Sequence, residues 1–393
     1  LSGRRSLNVL VAGEIALAMT LSVGAVLLLQ AFWKVCRVEP GFRVEGILTY
    51  RISLPSEQYS EQSARQAFFE DHLARVRTLP GVQAASFSDI GPLAGHNGNF
   101  FDIEGVEQAP GAMNPVVLTQ VVMTDYFETM GIELLTGRFF TEQDGYPDSE
   151  RTVIVNETFA RRLGSNRQAL DKHIAFQGSK DWIRVVGVMR DIKHYGLDQV
   201  MRPAVYLPCG QNPPYSMSAA VHTAGDPLAL VTMIRETLRA TDPSLSIYEV
   251  QTMRDRVHQS LWVRRTYSWL IGAFAVVAAV MAVGGIYGIM SYSVSQRTQE
   301  MGIRLALGAR ACDIVRRILT QGGRLIGIGL GVGLLGALVM GQLLAGLLFG
   351  VSATDPVAIV EVATLLLSVT LLACYFPARR AAKVDPMVAL RYE

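Results

Sequence analysis

The sequence predicts an α-helical membrane protein with four transmembrane helices and a large α+β extracytoplasmic domain. Three observations lead there. Half of the 393 residues are hydrophobic and only 18% are charged, against about 25% charged in an average soluble domain, and the mean hydropathy is +0.27. The apolar residues gather in four runs, each long enough to cross a bilayer core, which takes about 20 residues of helix. Between the first and second runs lies a segment of more than 200 residues that alternates strand and amphipathic-helix patterns.

The first run, Val9 to Trp33, is interrupted only by Glu14. It is too long for a signal-peptide apolar region, and no small-residue cleavage site follows it. Gly46 to Leu54 alternates as a strand. A helix follows from about Ser60 to Leu79, with Phe69, Leu73, Val76 and Leu79 on one face, and Pro80-Gly81 stops it. Val82 to Ile90 is a second strand. The same order returns near the far end. Ser216–His222 reads as a strand, Asp226 as an N-cap with Pro227 at the first helical position, and Leu228, Val231, Ile234 and Leu238 as a helical stripe. Leu245–Val250 closes that unit as a strand. Two porter-like βαβ units thus bracket a β-rich insertion over about 91–208, with strands at Val116–Met123, Arg151–Asn156, Trp182–Arg190 and Ala204–Leu207.

Thr252 and Asp255 have capping-box spacing. The helical pattern they open continues through Trp262 into the second run, Thr266 to Gln296, which holds no charge. Unbroken to Tyr292, that helix would be about 60 Å long at 1.5 Å per residue. The third run, Leu325 to Thr354, is uncharged and rich in Leu and Gly; the fourth, Val357 to Phe376, contains only Glu361. The expected domains are 1–33 (cytoplasmic stub and first transmembrane helix), 34–265 (outer domain) and 266–393. The last holds helices at about 266–293, 320–348 and 357–377, a cytoplasmic loop 294–319 and a cytoplasmic tail 378–393.

Lys and Arg near the helix ends set the orientation. Arg4 and Arg5 precede the first run; Arg297, Arg304, Arg310, Arg316 and Arg317 lie between the second and third; Arg379, Arg380, Lys383 and Arg391 follow the fourth. The short loop around Gly350 to Pro356 has none. All these clusters fall on one side, so both termini are expected in the cytoplasm and Lys34 to Arg265 outside. Lys34, Arg37, Arg264 and Arg265 flank the outer ends, but a large translocated domain moves regardless of such charges.

The net charge of +2 excludes a polybasic nucleic-acid binder. Cys36, Cys209, Cys312 and Cys374 have no CxxC spacing, and a Cys36–Cys209 pair stays open because the sequence does not give its Cα separation. No P-loop or GxSxG is present, and the six histidines show no metal-ligand spacing. Asn156-Glu157-Thr158 matches a glycosylation acceptor that is common by chance. Gly331, Gly333 and Gly336 spell GxGxxG inside an uncharged run without the strand a dinucleotide site needs. They are read as helix packing, like the GxxxG spacings Gly284–Gly288, Gly323–Gly327 and Gly329–Gly333. No catalytic, cofactor-binding or metal residues are therefore expected. Glu14 and Glu361 are intramembrane acids, for which snorkelling or a hydrogen bond to a neighbouring helix competes with a proton- or substrate-handling role.

The most informative stretch is Val294 to Leu319. Arg297, Glu300 and Arg304 form a charged face, Val294, Met301 and Leu305 an apolar one, Gly302 and Gly308 punctuate it, and Asp313 suits the first turn of the following helix. A short amphipathic helix at the cytoplasmic membrane surface fits this pattern better than a plain basic loop does.

Here the residues resemble a family. Arg297, Glu300, Gly302, Ile303, Arg304, Ala306, Gly308 and Ala309 are similar to the RxxExGIRxAxGA motif of FtsX/MacB-type ABC permeases, and Pro377-Ala378-Arg379-Arg380-Ala381-Ala382 with Asp385-Pro386 and Ala389-Leu390 is similar to that family's tail. One span, a large outer domain and three more spans match as well. The resemblance implies a MacB-like periplasmic core domain over 34–265 and an FtsX-like permease domain over 266–393. It implies a permease subunit in the bacterial inner membrane, not itself an enzyme, that couples ATP hydrolysis by a partner to periplasmic conformational change for export of a drug, peptide or other substrate. ATP and Mg would be bound by that partner. Arg297, Glu300, Gly302, Ile303, Arg304 and Gly308 would contact the ATPase. The partners implied are an ABC ATPase subunit, a second permease copy or half and, where the system uses one, a periplasmic adaptor; nucleic acid is not among them. A lipoprotein-releasing permease and an FtsX-like regulator of cell-wall hydrolases are the alternatives. The start (Arg4-Arg5, Glu14, Pro40-Gly41-Phe42) and the closing Leu390-Arg391-Tyr392-Glu393 resemble the second half of duplicated permeases of this superfamily, which would account for Leu1 in place of Met.

Overall fold

The computed structural model describes residues 2–95, 97–105, 116–146, 148–296 and 311–381. The chain divides into two compact units, one of residues 1–37 and 262–393 and one of residues 38–261.

The first unit is four helices: α1 (Ser2–Cys36), α8 (Trp262–Gln296), α9 (Ala311–Leu343) and α10 (Pro356–Ala381). Each contains a stretch long and apolar enough to cross a membrane: Leu7–Cys36, Trp262–Gln296, Ile318–Leu343 and Pro356–Arg380. α1 packs along both α8 and α9, and α10 fills the remaining side against them. The core is Val11, Ile15, Ala18, Met19, Val23 and Leu27 of α1 with Ala278, Ala282, Ile286 and Met290 of α8, Ile326 and Ala337 of α9, and Val362, Leu366 and Cys374 of α10. The outward faces are also apolar: Phe274, Val276, Val277, Val280, Val339, Val360 and Leu365 are all exposed. A helix apolar on both faces suits lipid rather than water. Trp33, Trp262, Tyr267 and Trp269 are exposed where α1 ends and α8 begins, an interfacial aromatic belt. α9 stops at Leu343, short of the expected 348, because the chain tightens into a 3-10 turn at Ala345–Leu347 and then reverses at Gly350, whose φ is +66°.

The second unit is built on a 12-stranded sheet with four strands at one end in the order β12-β1-β11-β2. These are β1 (Ile47–Ser53), β2 (Val82–Ser88), β11 (Ser216–Thr223) and β12 (Tyr248–Thr252). β11 lies antiparallel between β1 and β2, and β1 lies antiparallel between β11 and β12. The two predicted βαβ units are therefore interleaved, each inserting a strand into the other, a split βαβ arrangement. Their helices, α2 (Gln62–Arg77) and α6 (Val231–Thr241), bury Phe68, Phe69, Leu73 and Val76, and Ile234 and Leu238, against Leu48, Tyr50, Ile52, Phe87, Met217 and Val221. Asp226 caps the turn before α6 by accepting from Leu228 N at 3.0 Å, as its place in the sequence predicts.

The intervening segment continues the same sheet through β5 (Val117–Val122), joined to β2 at Ser88↔Val122. β10 (Ala204–Pro208) pairs parallel with β5, and β7 (Thr152–Asn156) pairs parallel with β9 (Ile183–Met189). The pattern missed β3 (Asn97–Asn99), β4 (Phe101–Ile103), β6 (Leu134–Gly137) and β8 (His173–Phe176), none longer than four residues. It also missed the five-residue α3 (Tyr126–Met130) and the four-residue α4 (Glu157–Ala160) and α5 (Asn166–Ala169). Elements this short carry too few residues to show a period.

The single long helix expected from Thr252 is two. α7 (Met253–Ser260) starts at Thr252, whose Oγ1 accepts from Asp255 N at 3.1 Å, and it ends where Leu261 N donates to His258 O at 3.2 Å, three residues back. α8 begins at the next residue. Cys36 and Cys209 are both free thiols.

Candidate functional site

α9 lies close against α1 because glycine lines the contact. A Cβ at Gly333 would sit 2.6 Å from Met19 Cβ and 2.9 Å from Ala16 O, and one at Gly329 would sit 2.7 Å from Ile15 Cβ. Thr20 Oγ1 donates to Ala16 O at 2.9 Å within α1 and lies 3.2 Å from Gly333 O across the interface. Of the GxxxG spacings, Gly329–Gly333 works as the sequence predicts. Gly284, Gly288, Gly323 and Gly327 face open space; their neighbours Gly285 and Gly322 make the contacts instead. When every face of a helix is apolar, the sequence does not say which of two adjacent glycines turns inward.

Glu14 faces Gly285 of α8, where a Cβ would collide with its carboxylate, and among the described residues its buried Oε2 has no hydrogen-bond partner. Glu361 is exposed in the second turn of α10. The two acids are not brought together. Glu14 lies toward the end of the bundle where α8 finishes, and Glu361 toward the opposite end.

Packing assigns each helix terminus to one of these ends. At the first, a Cβ at Gly322 would meet Cys374 Sγ at 2.8 Å and Met290 Sδ at 3.8 Å, and Arg380 Nη1 donates to Tyr287 Oη at 3.3 Å. The last turns of α8 and α10 and the first turns of α9 therefore converge, with the N-terminal half of α1 beside them. Asp313 sits in the first turn of α9, as predicted, and Arg316, Arg379 and Arg380 are exposed at this end. Arg297, Glu300, Gly302, Ile303, Arg304 and Gly308 lie outside the described residues, in the connection between α8 and α9.

At the opposite end Lys34 Nζ donates to Gly350 O and Arg264 Nη1 to Leu347 O. Sequence reasoning set these two cations aside as charges a translocated domain ignores. The structure gives them work: they satisfy carbonyls of the turn between α9 and α10 that no helix bond reaches.

With this geometry in hand, comparison with known proteins identifies the chain. Residues 15–244 match the MacB-like periplasmic core domain family, more than half the chain. Residues 272–386 match the FtsX-like permease C-terminal family. The chain belongs to the MacB/FtsX family of ABC permeases. Among curated relatives, a macrolide export ATP-binding/permease protein MacB from Bradyrhizobium diazoefficiens is 30% identical over 293 residues, covering 70% of this chain and 43% of that protein. A pyoverdine export ATP-binding/permease protein PvdT from Pseudomonas aeruginosa is 27% identical over 341 residues, covering 81% of this chain and 47% of that protein. The chain thus spans less than half the length of these relatives. Among solved structures, the periplasmic region of MacB from Actinobacillus actinomycetemcomitans aligns with a TM-score of 0.38 and 15% identity, covering 58% of this chain and 97% of that one. This MacB/FtsX-type permease is accordingly a multi-pass bacterial inner-membrane protein with a large extracytoplasmic domain, the sheet unit.

Proposed function

We propose that the chain is the permease subunit of an ABC complex, in which a partner ATPase moves segment 294–319 and the bundle passes that motion to the extracytoplasmic domain for export. The observation that carries this reading is the convergence of the ends of α8, α9 and α10 at one basic end of the bundle. By the positive-inside rule that end is cytoplasmic, with both termini. The connection between α8 and α9 is then the part of the spanning unit best placed to meet a cytoplasmic ATPase, and Arg297, Glu300, Gly302, Ile303, Arg304 and Gly308 are its contact residues. The glycine-tight contact of α1 and α9 supports a bundle that moves as packed rods, since close-packed interfaces shift between discrete arrangements rather than deform smoothly. A second permease copy or half completes the unit, and ATP and Mg belong to the partner.

The relatives are named for macrolide and pyoverdine export, and export is the activity proposed here. Glu300→Lys reverses one contact charge, and Gly302→Leu blocks close approach without changing charge. With insertion intact, both variants should lose ATPase co-purification and substrate-stimulated hydrolysis. Wild-type coupling in both would end the proposal. Stimulation by lipoprotein or by a cell-wall hydrolase in place of a small exported molecule would redirect it to one of the two alternatives.

A further inference from the structure

Arg256 of α7 is 4% exposed. A buried guanidinium is costly unless an anion meets it, yet among the described residues it meets only neutral acceptors. Nη2 lies 3.2 Å from Thr49 Oγ1. With the Gln251 amide turned so that its oxygen faces the guanidinium, that oxygen accepts from Nε at 3.2 Å and Nη2 at 3.1 Å, and its nitrogen donates to Gln259 Oε1 at 3.2 Å. Among the described residues no acceptor meets Nη1. Gly91 lies beside it, and a Cβ there would stand at ordinary contact distance, 3.4 Å from Ser218 Oγ and 3.8 Å from Nη1.

Arg256 lines an open cavity of about 540 Å³ together with Leu93, Ala94, Glu249, Val250 and Gln259. Ligand pockets span about 300–1,000 Å³. Two of its lining residues hold the backbone in the left-handed region, Leu93 at φ +60° and Glu249 at φ +51°. Such strain costs about 1–3 kcal/mol per residue and gathers at ligand clamps. Glu249 is exposed, and its charge acts on Arg256 although the two form no ion pair among the described residues. One buried cation and one separate acid leave the lining neutral, which disfavours a dianion.

We infer that this cavity binds a zwitterionic, peptide-like ligand, with its carboxylate on Arg256 Nη1, its ammonium on Glu249 and its apolar body against Leu93, Ala94 and Val250. A guanidinium edge matches a carboxylate in geometry as well as charge. Binding is read without any ATPase, so the site stands or falls apart from the coupling proposal. The test is equilibrium dialysis of the full-length protein in detergent with labelled Leu-Leu, its C-terminal amide and its N-acetyl form. The free dipeptide should bind saturably, the amide at least tenfold more weakly, and the N-acetyl form several-fold more weakly. Arg256→Lys should weaken the free dipeptide about tenfold. Should that buried substitution impair folding, Glu249→Gly, which relieves the backbone strain, decides instead: it should bind the free and N-acetyl forms alike. No saturable binding of Leu-Leu, equal binding of the amide, or an unchanged preference for the free amine in Glu249→Gly would overturn the assignment.

Discussion

Replacing Tyr50 and His72 together by phenylalanine changes how the stability of the extracytoplasmic domain depends on pH. His72 has no exposed surface, lies in a cluster with Phe68 and Phe87, and has its Nε2 3.0 Å from Tyr50 Oη. Burial pulls its pKa down to about 4 from an ordinary 6.5, with Asp71 opposing and Arg75 assisting. The unfolded chain therefore takes up the proton first. The contribution is complete above pH 6.5 and is lost as pH falls toward 4. From pH 7 to pH 5 the loss is about 2 kcal/mol, at about 1.4 kcal/mol per pKa unit. Asp89 acts in the opposite sense. Burial pushes its carboxyl up to about 6, against hydrogen bonds from Val121 N, Ile90 N and Asn97 and the charge of Arg51. Its contribution is full below an ordinary aspartate value of 3.8 and is lost as pH rises through 6. Acidification from pH 7 to pH 5 thus returns about 1 kcal/mol through Asp89. The wild-type protein should lose about 0.5 kcal/mol over this interval, the difference of the two effects before rounding. The double variant keeps Asp89, loses the titrating imidazole, and leaves no orphaned partner of the buried hydrogen bond. It should gain about 1 kcal/mol over the same interval. Pulse proteolysis in urea on the full-length protein in detergent, scored on the fragment from residues 38–261, reads both slopes. Parallel slopes would refute the assignment of a neutral buried His72.

In the bundle, Gly333→Leu should cost about 1–3 kcal/mol or more by overpacking against Met19 and Ala16, while Gly331→Leu, facing open space, should stay within about 0.5 kcal/mol. Thermal melting of the two variants in detergent checks this, and equal effects would remove the close approach. Asp144, 4% exposed, accepts from Arg138 Nη1 and Nη2 at 2.6 and 2.8 Å and from Thr141 and Thr152. Burial alone would raise its pKa, but these bonds hold it well below the usual carboxylate range. Asp144→Asn should cost about 2–3 kcal/mol near neutral pH. The cost should shrink progressively as pH falls below an ordinary aspartate value of 3.8 toward that depressed value, which acid unfolding curves of both proteins would reveal. Thiol reagents on intact spheroplasts should label a cysteine placed at Gln211 and spare one at Ser295; labelling at 295 alone would invert the topology.

The four spans, the long strands and helices of the βαβ units, and the caps at Asp226 and Thr252 were legible because each rests on residues near one another in sequence. An apolar run or a two-residue alternation needs no distant partner to be recognised. The candidate coupling residues were legible as a motif, and no span or strand pattern led to them. What the tertiary structure decided is of another kind. That the βαβ units interleave follows from β11 entering between β1 and β2, strands far apart in the chain. That Gly285 rather than Gly284 meets Glu14 depends on helix rotation, which an all-apolar surface leaves unmarked. Lys34 and Arg264 read as stray charges until folding brings the carbonyls of Gly350 and Leu347 to them. Arg256 sits at an ordinary position on a short polar helix. Only the packing of α7 against β1 and β12 buries the charge and leaves it lining a cavity, because burial is set by long-range packing and not by the residues on either side.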